Sequence, residues 1–495
     1  MTLAAALRAR VAAGPVALSA AALAWGVLLK LTVQAGGPLW LDEGWTLGVV
    51  SRPGWAAFVE QLRLDVNPPL YFALLRAWTG VAGLSDAALR APSVLFAAAA
   101  PLVVLLGRPP LPRGERWAWA AVLGLLPAPI YFAQEARGYA LLLLLEAGAA
   151  VAFLRLVARP STARAALWCG LTALACLTHY HALLVGGLEG LAYLAIHKAR
   201  ALRTWPAALL FLPWLAWAGP HAARVAAFAR PEFSWYSPLS VRDLPGVVGV
   251  LTGGMALVWP ALLALGVLAE RPLAARGVEG ARPRAPELTL AAAAVGAVAI
   301  LLLLGLARPS FTPRYLTPAV PGVALALVAG LRLAGPRAAG ALQAGLVAAL
   351  ALAATASGLR ASTAERRAFQ METASADLGR AGVRRLAFLW DNPTDGVLAP
   401  PERGALADAF FVRDRLPVEV TGLPYAPADP NPRLAAATPP GGGLLWLYDL
   451  RVPRTAARRF PPRLEAMDPG LSCRRYAGGA LGVVACVRSP AACTR

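Results

Sequence analysis

Charge is what this chain has least of. Asp, Glu, Lys and Arg make up 15% of its 495 residues, against about 25% in soluble globular proteins, while 58% of the residues are hydrophobic. A mean hydropathy of +0.56 points the same way, to an integral membrane protein. Acids are scarcer than bases, 27 against 47, which leaves a net charge of +20. In a soluble protein that balance would indicate nucleic acid. Here most arginines lie in short loops between apolar runs or in the C-terminal quarter, and the first pattern is that of cytoplasmic loops, so no nucleic-acid partner is expected. No G-x-x-x-x-G-K-[ST] loop occurs, so ATP-driven transport has no support. Of 5 cysteines, Cys169 and Cys176 sit in an apolar run and read as lipid- or core-facing, while Cys473, Cys486 and Cys493 lie in the tail. No Cys/His spacing resembles a zinc site.

What is present is a series of apolar runs, each long enough to cross the roughly 30 Å of hydrocarbon in a bilayer. About eleven spans are expected, near residues 14–34, 88–107, 117–133, 138–157, 165–179, 182–197, 205–220, 246–268, 287–306, 315–332 and 340–358. Val33-Gln34-Ala35 loosely resembles a cleavage site, but the run before it is longer than a signal peptide needs, so it reads as a retained first span with a cytoplasmic N-terminus. The segment 68–79 is apolar but short, and reads as interfacial. The stretch 165–197 reads either as a hairpin turning at His179-Tyr180-His181 or as one tilted helix. Alternating the spans places Arg108, Arg113 and Arg116; Arg159 and Arg164; Lys198, Arg200 and Arg203; Arg271, Arg276, Arg282 and Arg284; and Arg332 and Arg337 on the cytoplasmic side. That is a strong positive-inside bias.

The same alternation gathers the unusual polar residues on the outer side. Trp40-Leu41-Asp42-Glu43-Gly44-Trp45 puts two acids where the first span leaves the bilayer. A carboxylate near lipid is costly unless it has a partner or a task. Either the two acids cap an interfacial helix running to about Leu64, or they are chemical. Asp65 and Asn67 precede Pro68-Pro69, a helix start that can also close a site from the membrane side. Gln134-Glu135-Ala136-Arg137-Gly138-Tyr139 joins two spans. It is either an ion pair at a helix junction, or a second carboxylate able to hold a divalent ion or orient a hydroxyl, with Arg137 facing an anion. His179 and His181 invite a metal reading, against that of a polar cap on a hairpin. Pro313-Arg314-Tyr315 puts an arginine outside against the general trend, as a snorkelling anchor or a phosphate partner.

From about Ser362 charges become frequent. A helical stretch near 363–380 and β-like runs at 385–390, 444–450 and 481–488 read as an outer soluble α/β domain of roughly 130 residues. The chain thus divides into a membrane domain, 1–360, and a C-terminal domain, 361–495. In an oxidising compartment Cys473 and Cys486 are placed to pair, leaving Cys493 free.

In order, Leu-Asp-Glu at the first exit, Asn-Pro-Pro-Leu-Tyr, Leu89-Arg90-Ala91-Pro92-Ser93, Gln-Glu-Ala-Arg-Gly-Tyr, Leu-Thr-His-Tyr and Pro-Arg-Tyr-Leu-Thr-Pro resemble the bacterial glycosyltransferases of the GT-C fold. The nearest groups are the family-39 protein O-mannosyltransferase-like enzymes and the lipid A aminoarabinose transferases. The resemblance covers about residues 15–335. It implies a polytopic helical membrane domain with interfacial helices in the first outer loop, a sugar donor on polyprenyl phosphate, an outward-facing site and an inverting transfer to a lipid, glycan or protein hydroxyl. It makes Asp42 and Glu135 the catalytic acids, with Glu43, Asp65, Asn67, Arg137, Tyr139, His179, Arg314 and Tyr315 around the substrate. The aminoarabinose transferases carry a lysine where Asn67 stands here, so phosphate contact falls to Arg137 or Arg314.

The chemistry suits this inventory. A carboxylate base that helps to remove the acceptor proton supplies a factor of about 10²–10⁴, and fixed positive charge stabilises the departing phosphate. A Mg²⁺ or Mn²⁺ ion between Asp42 and Glu135 remains open, although two carboxylates are a thin ligand set. The competing readings are a lipid-linked sugar flippase, which would favour mid-membrane polar residues and internal repeats, and a silent membrane scaffold.

Overall fold

The computed structural model describes residues 3–32, 37–233, 239–274, 285–335, 338–360, 370–478 and 481–489. Cys493, Arg276, Arg282, Arg284, Arg337 and the stretch Val33–Ala35 therefore lie outside the described residues. The chain forms two compact units. One comprises Met1–Ala35, Arg90–Gly219 and Pro238–Ala361; the other comprises Gly36–Leu89, Pro220–Ser237 and Ser362–Arg495.

The first unit is helical. Among the described residues seven stretches are long and apolar enough to cross a membrane: Gly14–Thr32, Asp86–Leu106, Tyr139–Ala158, Ala182–Phe228, Pro286–Ala307, Pro313–Ala334 and Ala339–Ser357. The 47-residue stretch Ala182–Phe228 contains two of the expected spans. Three more are shorter or interrupted. Pro127 splits one into Arg113–Leu125 and Pro127–Ala133, helix Thr162–Cys176 is short, and a turn after Thr252 divides another into Leu244–Thr252 and Val258–Ala274. A proline ring clashes with the preceding turn and lacks an N–H, which is why the break falls at Pro127. The chain is a multi-pass membrane protein.

Stretch 165–197 is a hairpin, with helices Thr162–Cys176 and Ala182–His197 either side of a turn that includes His179 and His181. Helix Leu3–Thr32 packs on Arg113–Leu125 and Ala339–Arg360. At the first contact a Cβ on Gly26 would come within 2.9 Å of the Gly124 carbonyl oxygen. The fully buried Lys30 donates to that same carbonyl at 2.6 Å and to Gly26 O at 3.1 Å. It supplies a donor to a carbonyl beside the helix break, where cationic groups are favoured.

The second unit joins the segment Gly36–Leu89 to the C-terminal chain. The expected continuous interfacial helix is two helices, Leu41–Val50 and Gly54–Leu64, because Pro53 caps the second and Gly54 takes φ +69°. Residues 68–79 form the short helix Leu70–Ala82. The sheet has strands β1 Arg385–Asp391, β2 Glu419–Leu423, β3 Gly443–Asp449, β4 Leu471–Gly478 and β5 Leu481–Arg488, in the order β2-β1-β3-β5-β4. β1 runs parallel to β2 and β3, and β5 is antiparallel to β3 and β4. β1 and β3 are almost wholly buried, and their continuous apolar runs match central strands covered on both faces. Helix Met371–Arg380 occupies the described part of the expected 363–380 helix. Cys473 and Cys486 face each other across β4 and β5 and form the expected disulfide.

Helix Leu41–Val50 packs on helix Ala405–Arg413. Gly44 and Gly48, one turn apart, form the contact face. A Cβ on Gly44 would meet Leu406 Cδ1 at 2.8 Å, and one on Gly48 the Ala405 carbonyl oxygen at 3.2 Å. Arg52–Asp408 at 3.1 Å and an edge-on contact of Trp45 with Trp390 (5.2 Å between centroids) add to this attachment.

Candidate active site

In the second unit the two adjacent acids have different surroundings. Both lie in the first turn of helix Leu41–Val50, where the helix dipole favours negative charge. Glu43 is fully buried, and its Oε2 accepts the Trp40 backbone N–H at 3.1 Å, closing the helix start as a capping-box acid does. Asp42 is half-buried on the neighbouring helical position. Solvent or substrate can therefore reach Asp42 and not Glu43.

Asp65 and Asn67 make a local turn. Asp65 Oδ1 accepts the backbone N–H and the side-chain amide of Asn67, both at 2.7 Å. The turn is held by residues at the start of the 221–245 stretch, which the alternation of spans groups with the other unusual polar segments but to which no sequence motif assigns a role. His221 Nε2 lies 2.6 Å from the Asp65 carbonyl oxygen; Arg224 donates to the carbonyls of Leu64 (2.8 Å) and Val397 (2.7 Å) and pairs with Glu402 at 2.5 Å. The one available signal was that His221 and Arg224 end an apolar stretch one helical turn apart.

In the first unit the structure brings together Tyr139, His179, His181 and Tyr315. Tyr139 begins helix Tyr139–Ala158, and Tyr315 lies in the 3₁₀ turn Pro313–Ala319. His181 stacks on Tyr315 (4.2 Å, 17°). His179 lies 5.5 Å from Tyr139 and 5.6 Å from Tyr315, and Tyr139 stacks on Phe132 at 4.6 Å. The His181 backbone N–H donates to His179 Nδ1 at 3.3 Å, which assigns the proton of neutral His179 to Nε2. His179 is buried, and burial first, then His181, Arg137 and Arg314, hold its pKa well below the ordinary histidine value. Burial likewise lowers His181 to about 4. Two guanidinium groups thus act on one imidazole that stays uncharged. Glu135 is buried in the turn before Tyr139, and the Arg137 carbonyl accepts the Ser93 hydroxyl at 3.5 Å. The arrangement suits an anion: fixed positive charge, a neutral N–H donor and aromatic faces in a place of restricted water.

Among the described residues no group of three or more His, Cys, Asp or Glu side chains is placed to hold a metal ion.

No family model and no curated protein matches the sequence. Solved structures do match. ArnT from Cupriavidus metallidurans in the apo state aligns over 96% of this chain and 98% of its own, at 15% identity and a TM-score of 0.58. The same protein bound to undecaprenyl phosphate aligns over 95% and 97%, at 15% identity and a TM-score of 0.54. The chain has the GT-C fold, a polytopic helical membrane protein with a C-terminal domain, as its motifs led one to expect.

Proposed function

We propose that the protein is an inverting glycosyltransferase that moves a sugar from a polyprenyl-phosphate donor to a hydroxyl on a lipid, glycan or protein acceptor, at the outer face of the bacterial inner membrane. The observation that carries this reading is the buried, neutral His179 under the influence of both Arg137 and Arg314 and enclosed by Tyr139, His181 and Tyr315. A GT-C neighbour solved with undecaprenyl phosphate supports the same donor class.

In the proposed step the acceptor oxygen attacks the anomeric carbon, and its proton passes to the Asp42 carboxylate. The bond from that carbon to the phosphate oxygen breaks, and its electron pair leaves with the polyprenyl phosphate. Arg137 and Arg314 stabilise the charge that develops there. One displacement gives inversion. Glu135 orients the substrate hydroxyls, and Tyr139 and Tyr315 line the sugar. The described residues do not gather a divalent-cation ligand set around Asp42 or Glu135, so no step is routed through a metal. The C-terminal domain, 361–495, is assigned to the outer side with the first outer segment.

The test is transfer from a synthetic polyprenyl-phosphate sugar by purified protein. Asp42→Asn is expected to lower kcat by about 10²–10⁴ while donor binding persists. Glu43→Gln keeps an acceptor for the Trp40 N–H and should be far milder. Near-normal turnover in Asp42→Asn would leave the acid with only a helix-capping role, and a flippase or scaffold would fit better.

A further inference from the structure

A cavity of about 340 Å³ in the second unit is lined by Trp55, Arg76, Ala77, Thr79, Gly80 and Leu84. None of these residues takes part in the chemistry above. They belong to helices Gly54–Leu64 and Leu70–Ala82 and the turn that follows. Arg76 is half-buried. It donates through Nη1 to the Val50 carbonyl and lies 5.9 Å from the centre of the Phe58 ring, and among the described residues no carboxylate pairs with it. Guanidinium offers five N–H donors in a planar fork, so most remain for a ligand.

Among the lining residues Trp55, 60% exposed, Ala77 and Leu84 are apolar, and elsewhere on helix Leu70–Ala82 Val81 is 91% exposed, Leu74 43% and Trp78 38%. The Trp78 indole N–H donates to the Ala88 carbonyl at 2.8 Å. A helix of 13 residues spans too little of a bilayer, and exposed Trp, Leu and Val beside an arginine are what an interfacial helix presents to lipid.

We propose that this cavity seats the phosphate headgroup of an anionic phospholipid from the surrounding leaflet, with Arg76 on the phosphate and Trp55, Ala77 and Leu84 against the start of its acyl chains. A lipid matches both halves of the lining, the single cation and the apolar rim of Trp55, Ala77 and Leu84. A soluble phosphate would leave the rim in water.

The experiment uses full-length protein in nanodiscs of equal phosphatidylglycerol and phosphatidylcholine, with retained lipid measured by native mass spectrometry. The expected result is a preference of about tenfold for phosphatidylglycerol, lost in Arg76→Gln. Gly80→Leu separates loss of the site from loss of the fold. A Cβ there meets nothing within 4 Å, and leucine suits a helix better than glycine, so this variant fills the cavity and should lose the preference while folding well. Arg63→Gln removes the same charge from an exposed residue of the neighbouring helix and should keep the preference. The proposal is overturned if Arg76→Gln and Gly80→Leu retain the wild-type preference, if Arg63→Gln abolishes it equally, or if soluble glycerol phosphate displaces the lipid.

Discussion

The stretch Pro313–Ala334 carries an arginine near each end, and the two are in opposite situations. Arg332 is buried between two acids. It binds both oxygens of Glu115 at 3.0 and 3.1 Å and also pairs with Glu287, so it ties together the starts of helices Arg113–Leu125 and Ala285–Ala307. Arg314 acts on a histidine that burial keeps neutral, among aromatic rings. The first arrangement consumes an arginine's charge in structure. The second sets it to act on a buried neutral imidazole that lies beside Tyr139 and Tyr315.

That contrast can be broken in order of expected effect. Arg332→Met leaves Glu115 and Glu287 buried without their cation and should cost about 3–5 kcal/mol of stability, read as a large fall in melting temperature in detergent. Replacing both acids by glutamine in the same variant should recover much of the loss. Arg314→Ala should cost less stability than Arg332→Met and raise the donor KM by about tenfold or more, with less change in kcat. Equal destabilisation by Arg332→Met and Arg314→Ala would erase the distinction.

The smallest effect is a pH dependence. His181 has its folded pKa lowered to about 4, and that of His179 also lies below the ordinary value. Between about pH 6.5 and 4 the unfolded chain therefore binds protons that the folded chain does not, so stability falls as pH drops through that window and is level above it. A melting series from pH 8 to 4 should show the fall, and His181→Phe should flatten part of it. A melting temperature independent of pH would mean that these rings are hydrated.

Much of the fold was legible in local pattern. The short apolar helix at 70–82 and the central strands follow from run length and turn residues. The hairpin at 177–181, by contrast, is one of two readings of its stretch, and the Cys473–Cys486 pair rests on an oxidising compartment, since spacing alone fixes no pairing. The edge strand Glu419–Leu423 was not legible, because its half-polar sequence becomes a strand only through pairing with β1. Arg332 read as an ordinary cytoplasmic-loop arginine. Its acids lie 217 and 45 residues away, and no local signal relates them. Lys30 carries a local signal, since a lone lysine in an apolar run needs buried partners.

By itself the sequence determined that this is a multi-pass helical membrane protein with acids and exceptional arginines at its span ends, because the cost of placing charge near lipid applies residue by residue. Only the tertiary structure decided which of two adjacent acids closes a helix and which remains accessible. Likewise it decided which arginine is neutralised by carboxylates and which acts on a neutral histidine. Those outcomes depend on partners brought in from distant parts of the chain, and packing, not periodicity, selects them.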